Sequence, residues 1–222
     1  MKFNVYGRQL SPDEIAAKEH REFVGGLWDE LGALQFGFLR SQGLLPRHRL
    51  LDLGCGALRG GIHFIRYLDA GHYYGMDINA SLIEAGKREL EEYRLEGKHP
   101  HFLVNDKFEL SGFATMFDSA IAISVFTHLP MNHIVRCLAE VRKVLRPEAR
   151  FFASYFEAPV AACLQPLAHA PGNIVTNFDA DPYHYAFEEV QWMAGSARLR
   201  VELIGEWGHP RGQRMLSFST DG

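Results

Sequence analysis

From residue 49 the chain alternates short apolar runs with longer segments whose apolar residues recur every three or four positions. The runs 49–53, 72–77, 101–105, 118–124 and 150–156 read as buried strands. Between them, 58–69 places Ile62, Ile65 and Leu68 on one side, 80–95 carries Ile83, Leu90 and Tyr93, and 131–145 carries Ile134, Leu138, Val141 and Leu145. These segments read as amphipathic helices, the last stopped by Pro147. Such alternation predicts an α/β fold, a doubly wound and mostly parallel sheet with helices on both faces.

Both ends depart from this rhythm. Ser11-Pro12-Asp13-Glu14 is a helix start with a capping box, and the helix is expected to run to Gly25-Gly26, a lid hinge or a plain junction. A second helix follows, with Leu27, Leu31, Leu34 and Phe38 on one face and Gly43 as its stop. Residues 1–45 are thus read as a helical cover belonging to the same domain as the core, 46–222. Pro159, Pro166, Pro171, Gly172 and Pro182 predict a long irregular excursion over 158–182. A helix at 186–197 leads to strand 198–207, a loop at 208–212 and strand 213–219, a closing hairpin.

Composition narrows the class. With 222 residues, 47% hydrophobic and 23% charged, one globular domain is expected. A net charge of −4 offers no long-range attraction to phosphate backbones, which argues against nucleic acid as a partner. Cys55, Cys137 and Cys163 form neither a disulfide framework nor a CxxC metal motif. His99 and His101 lack a third suitably spaced ligand, so no metal is expected. The first residues lack the apolar core of a signal peptide and no run suits a membrane span, so the expected location is the cytoplasm.

Candidate chemistry begins where the first strand ends, at Asp52-Leu53-Gly54-Cys55-Gly56-Ala57-Leu58-Arg59-Gly60-Gly61. A strand, a glycine turn and a helix start form a cradle for a nucleotide-like ligand, since glycine permits a tight turn and close approach. Asp77 ends the next strand, 21 residues after Gly56, where a carboxylate accepts ribose hydroxyls or else caps the next helix. Gly54, Gly56 and Gly60 also suit a dinucleotide. Asp52, however, is poorly placed beside a pyrophosphate and well suited to a ligand with an ammonium group, and no Tyr-x-x-x-Lys pair is present. The balance favours S-adenosylmethionine.

Residues 49–219 resemble a class I S-adenosylmethionine-dependent methyltransferase. The resemblance is carried, in order, by Asp52–Gly56, Met76-Asp77-Ile78, Val104-Asn105-Asp106 and the run from Phe117 to Ser124. It implies a Rossmann-like seven-stranded sheet whose last strand is antiparallel, and S-adenosyl-L-methionine as cofactor. By that match Asp52, Gly54, Cys55 and Gly56 border the methionine part, Asp77 holds the ribose and Ile78 covers one face of adenine. Asp106 accepts from the adenine amino group, with backbone contacts from Asn105 or Lys107, and Ser124 closes the cofactor set. The chain departs from the family at Leu58, where a third glycine is usual; Arg59-Gly60-Gly61 stands one turn along as a possible compensation. Arg59 either pairs with the methionine carboxylate or lies on the helix surface.

The acceptor site is expected in loops after strands. No Asp/Asn-Pro-Pro-aromatic run follows the fourth strand, which argues against nucleobase amines; Asp181-Pro182-Tyr183-His184 has the look of one but follows the fifth strand. His128 is the candidate general base, or else a residue that holds its loop. Tyr155, Tyr183, His184, His209 and Arg211, together with Glu157, Tyr185 and Gln213, are candidate acceptor-side residues. The alternative for His209 and Arg211 is that they only fix the hairpin. Trp28, Gln35 and Phe38 line the pocket from the cover or simply join the core. The expected reaction is methyl transfer to an oxygen or nitrogen of a small polar molecule. A binding protein without turnover, or an enzyme modifying protein or RNA, is the alternative. The oligomeric state is not encoded legibly.

Overall fold

A computed structural model describes residues 5–220. Seven strands form one sheet: β1 (Leu50–Leu53), β2 (Tyr73–Asp77), β3 (His101–Val104), β4 (Phe117–Ala122), β5 (Leu145–Tyr155), and the closing pair β8 (Leu199–Gly205) and β9 (Arg214–Thr220). Their order is β3-β2-β1-β4-β5-β9-β8. β9 runs antiparallel to both of its neighbours, as the resemblance implies for the last strand. A separate two-stranded ribbon, β6 (Leu167–His169) with β7 (Ile174–Thr176), occupies part of the expected irregular excursion.

The described residues form two compact units, 5–119 and 120–220. In the first, β1 and β2 are buried along their whole length and pair in parallel from Leu50 with Tyr73 to Leu53 with Met76. The helices are α1 (Pro12–Ala16), α2 (Glu19–Phe23), α3 (Trp28–Ser41), α4 (Gly61–Tyr67) and α5 (Ala80–Glu92). Ser11 and Glu14 complete the expected capping box of α1. The single helix expected up to Gly25 is instead broken, because Lys18 takes a left-handed φ of 61°. The reason lies in α5, 69 residues from His20 and 68 from Arg21. Glu89 of α5, 1% exposed, binds His20 at 2.7 Å and receives two hydrogen bonds from Arg21 at 2.8 and 2.7 Å. Burial alone would raise the Glu89 carboxyl, but those donors win and hold it down at about 2. α3 also presents a different face from the one expected, burying Leu31, Gly32, Gln35 and Leu39, while Leu27 is exposed.

The departure at Leu58 has a packing explanation. Leu58 is fully buried yet keeps a left-handed φ of 70°. That conformation costs roughly 1–2 kcal/mol, whereas burying a leucine side chain contributes about 1.5–3 kcal/mol. Burial therefore offsets the strain, provided space exists. Two glycines provide it: a Cβ on Gly61 would stand 2.8 Å from Leu58 Cδ2, and one on Gly86 2.8 Å from Leu58 Cγ. Gly60 serves α3 instead, since its Cβ would stand close against Gln35 Oε1. The glycines after the turn thus admit the chain's own side chains.

The second unit contains α6 (Met131–Val144), β5, the ribbon, α7 (Phe187–Ser196) and the closing hairpin. α6 passes directly into β5 at Leu145, earlier than expected. Pro147 sits in the exposed start of that strand, where a missing N–H is tolerated. Among the described residues no helix is long and apolar enough to cross a membrane, and no group of three or more His, Cys, Asp or Glu is placed to hold a metal ion.

Gly86→Ala is expected to lower stability by about 1–3 kcal/mol through overpacking against Leu58. Combining it with Leu58→Ala should cost less than the sum of the single changes by about 1 kcal/mol or more. Denaturant titration of the two single variants and the double variant measures this; strict additivity would refute the compensation.

Candidate functional site

The first unit builds a polar cradle from the carboxyl ends of β1 and β2. Gly54 and Gly56 have φ of 66° and 53°, which a side chain would strain. Gly54 N and Cys55 N both donate to Met76 O, at 2.7 and 3.1 Å, which bends the turn over the end of β2. Asp77, 7% exposed, fixes the result: Oδ2 accepts from Gly56 N at 2.9 Å and Oδ1 from Asn79 N at 2.8 Å. Capping of α5 falls to Asn79, whose side chain accepts from Ser81 N and Leu82 N. Asp77 is therefore not the side-chain cap of that helix. Burial raises its carboxyl, against the backbone N–H groups that lower it.

Asp52 lies deeper. Tyr73 Oη donates to its Oδ2 at 2.6 Å. Burial pushes the Asp52 carboxyl up to about 7, reinforced by Asp77 and opposed by the Tyr73 bond and by Arg59. Cys55 is buried beside the two carboxylates, and burial first of all keeps its thiol protonated. Arg59 Nη1 donates to Val24 O at 3.0 Å and Gly26 O at 2.9 Å, gripping the segment between α2 and α3. Trp28 belongs to that segment's packing, for it joins Phe23 and Val24 against Leu10, Ile15, Ala57, Leu82 and Ala85. Phe38 is half-buried and Gln35 buried beside Gly60.

Next to Asp77, Ile78 is 40% exposed, an apolar side chain left open at a strand end. Asn105 continues β3; its N donates to Asp77 O at 3.0 Å and its Oδ1 accepts from Lys107 N and Glu109 N. Asp106 is exposed at the tip of that turn. The structure thus gathers Asp52, Gly54, Cys55, Gly56, Asp77, Ile78 and Asn105 around the ends of three adjacent strands.

In the second unit, Ser124 has a left-handed φ of 59° and is committed to a polar knot. Its N donates to Ser154 Oγ at 2.7 Å, and its hydroxyl and that of Ser154 both reach Gln213 Oε1, at 3.0 and 2.6 Å. His128 Nδ1 stands 2.5 Å from Asp181 Oδ1, with side-chain exposures of 22% and 20%. Tyr183 N donates to Thr127 O at 2.7 Å, and Tyr185 Oη to Leu129 O at 2.6 Å, so the 181–185 segment clamps the loop after β4. Sequence reading set Asp181 aside because it follows the fifth strand; nothing in its spacing from His128 signals the pairing.

The remaining acceptor-side candidates are largely inward. Tyr155 is fully buried and Tyr183 is 8% exposed. His184, 1% exposed, is bonded to Thr176 and the Cys163 carbonyl. His209 is buried, lies tilted beside the Trp207 ring at 5.3 Å and accepts from Arg211 N at 3.2 Å. The Arg211 backbone lies so close to Gly172 that a Cβ there would stand 2.8 Å from Arg211 Cα.

A family profile described as a methyltransferase domain matches residues 51–151. The ubiquinone/menaquinone biosynthesis C-methyltransferase UbiE of Vibrio campbellii (strain ATCC BAA-1116) is 30% identical over 166 residues, covering 71% of this chain and 62% of that protein. Its counterpart from Vibrio parahaemolyticus is 30% identical over 158 residues, covering 67% and 60%. The chain therefore spans about three fifths of the length of these relatives. Among solved structures, the CcbJ methyltransferase from Streptomyces caelestis superposes with a TM-score of 0.71 at 14% identity, each chain covered completely. Magnesium protoporphyrin IX methyltransferase from Synechocystis PCC 6803, with bound SAH, gives 0.64 at 16% identity, covering 94% of this chain and 97% of that one. These structures share the sheet and its helices, and the matching domain begins inside β1, one residue before Asp52. Residues 51–151 thus match a methyltransferase domain, and the chain is similar in sequence and in fold to S-adenosylmethionine-dependent methyltransferases.

Proposed function

We propose that the chain transfers a methyl group from S-adenosylmethionine to an oxygen or nitrogen of a small polar molecule. The observation that carries the cofactor half is the buried Asp77 carboxylate, held by Gly56 N and Asn79 N beside a glycine turn and the exposed Ile78. Each oxygen of a carboxylate has capacity for a second donor, which suits it to ribose hydroxyls. Ile78 offers an apolar face for adenine, and Asp106 an acceptor for its amino group. Asp52, Gly54, Cys55 and Gly56 suit the methionine end, with Asp52 answering its ammonium. When bound, the cofactor supplies an electrophilic methyl group on a sulfonium.

His128 serves as the base in this reading. Asp181 accepts from Nδ1–H, which fixes the tautomer and makes Nε2 the basic nitrogen, the one that takes the proton of the acceptor's O–H or N–H group. The Asp181 carboxylate then stabilises the imidazolium. Asp181 is a positioning residue, and the clamp at Tyr183 and Tyr185 keeps it in register. Ser124 supports the loop that carries His128. A carbon acceptor is the rival reading, favoured by the C-methyltransferase names of the relatives; a general base serves there too. Incubation with a metabolite panel, reading S-adenosylhomocysteine and methylated product by mass spectrometry, decides the element methylated. Absence of turnover with every acceptor class would favour a binding protein.

Asp77→Asn should weaken S-adenosylmethionine binding by about 10- to 100-fold, the loss of one to two charge-assisted hydrogen bonds. Unchanged affinity by calorimetry would remove the ribose role. Because Asp52 titrates near 7, a ligand ammonium is attracted only once that carboxyl has ionised. Cofactor affinity should accordingly rise with pH between about 6 and 8, at most tenfold per unit, and Asp52→Asn should flatten the rise. His128→Ala should lower kcat by about 10²- to 10⁴-fold, and Asp181→Asn by roughly tenfold or more, the wrong amide orientation compromising the tautomer. Neither should alter cofactor affinity; equal turnover in the His128 variant would remove it as base.

A further inference from the structure

The second unit contains a cleft of about 550 Å³, a size typical of small-molecule sites. Its polar wall is Glu157, Glu188, Arg214 and His169, and its apolar wall includes Val160 and Phe187. Of these only Glu157 is suggested by the sequence pattern.

The protonation of His169 follows from its neighbours. His184 Nε2 lies 2.7 Å from the Cys163 carbonyl oxygen, which can only accept, so Nε2 carries the hydrogen. In the tautomer with its hydrogen on Nε2, His184 Nδ1 accepts from the Thr176 hydroxyl at 2.6 Å. With its hydrogen so committed, the Thr176 oxygen accepts from His169 Nε2 at 2.7 Å. His169 is thereby left with Nδ1 as an acceptor. Burial, and then His184, lowers the pKa of His169 and favours the neutral ring this relay requires. Phe156 covers the ring at 4.6 Å, holding it in place.

The charges on the wall do not balance. Arg214 Nη1 pairs with Glu157 Oε2 at 3.2 Å, which leaves Glu188 as a second carboxylate against a neutral imidazole. The wall carries one net negative charge and one imidazole acceptor. The geometry points to a binding site for an alkylammonium group in this cleft: Glu188 and Glu157 answer its charge, His169 takes one N–H, and Val160 and Phe187 cover the alkyl part. The inference rests on the reading that the chain methylates a small polar molecule, and it assigns that molecule a primary amine as its recognition handle.

Histidine side-chain NMR with n-butylammonium as probe tests the site, with n-butanol and butyrate as the neutral and anionic controls. Butylammonium should shift the His169 resonances saturably and the controls should not. Glu188→Gln, an exposed change that leaves the fold intact, should weaken binding about three- to fivefold, the scale of a partly solvated ion pair. Arg214→Gln releases Glu157 and should tighten binding instead. Preference for butyrate, or saturable binding with His169 unmoved, would overturn the site, as would no binding at all. Butylammonium binding in a protein that makes no S-adenosylhomocysteine with any acceptor would keep the cleft and defeat the methyltransferase reading. Turnover confined to acceptors without an amine would do the reverse.

Discussion

The carboxylate of Asp77 is the constraint on which the first unit depends. It joins the turn after β1 to the start of α5 by accepting from Gly56 N, 21 residues away in sequence, and from Asn79 N. A buried charge is expensive unless hydrogen-bonded, and these bonds meet that cost while fixing Gly56 in its left-handed conformation. Leu58 inherits its own conformation from the same turn. It is tolerated because the helices on either side, α4 and α5, present Gly61 and Gly86 to it. The cradle and the packing beneath it are thus one piece of structure, and a change in either is felt in the other.

The cover segment is attached by electrostatics as much as by apolar packing. Arg59 holds it at Val24 and Gly26, and Glu89 holds α2 through His20 and Arg21. Arg59 lies in the turn just before α4, and Glu89 on α5, the helix that follows β2. Glu89 keeps its charge because two donors outweigh burial, whereas Asp52, with one hydroxyl donor, is pushed up to about 7. Two buried carboxylates in one unit therefore play different parts, one permanently ionised and structural, the other poised to respond to a cationic group.

Much of this was legible from local pattern. Most strand runs, the core helices and the closing hairpin lie within a few residues of their predicted places, because each depends on burial of one face. The glycine turn was legible because backbone geometry demands that residue type, and the acidic ends of β2 and β3 because a carboxylate suits a ribose and because their order and spacing resemble the family's motifs. What escaped were partnerships across long separations. Periodicity carries Ser11 to Gly25 as one helix, since the break at Lys18 answers to Glu89 on α5. It shows α3 a face centred on Leu34 rather than Gln35, since Gly60 leaves room for an amide. Arg59 reads as a ligand residue or a surface residue because its carbonyl partners are invisible in sequence.

Asp181 makes the same point for chemistry. A carboxylate beside a histidine acquires meaning only from the hydrogen bond that joins them, and 53 residues separate the pair. The clamp that brings them together is built from backbone groups, Tyr183 N to Thr127 O, which any residue type supplies. The relay from Cys163 through His184 and Thr176 to His169 works in the same way, since its direction is set by one main-chain carbonyl. In both cases a histidine gains a defined tautomer from a partner that composition does not advertise. A histidine in a loop after a strand is an ordinary residue; one whose ring nitrogens have been assigned different tasks by their neighbours is chemically specified.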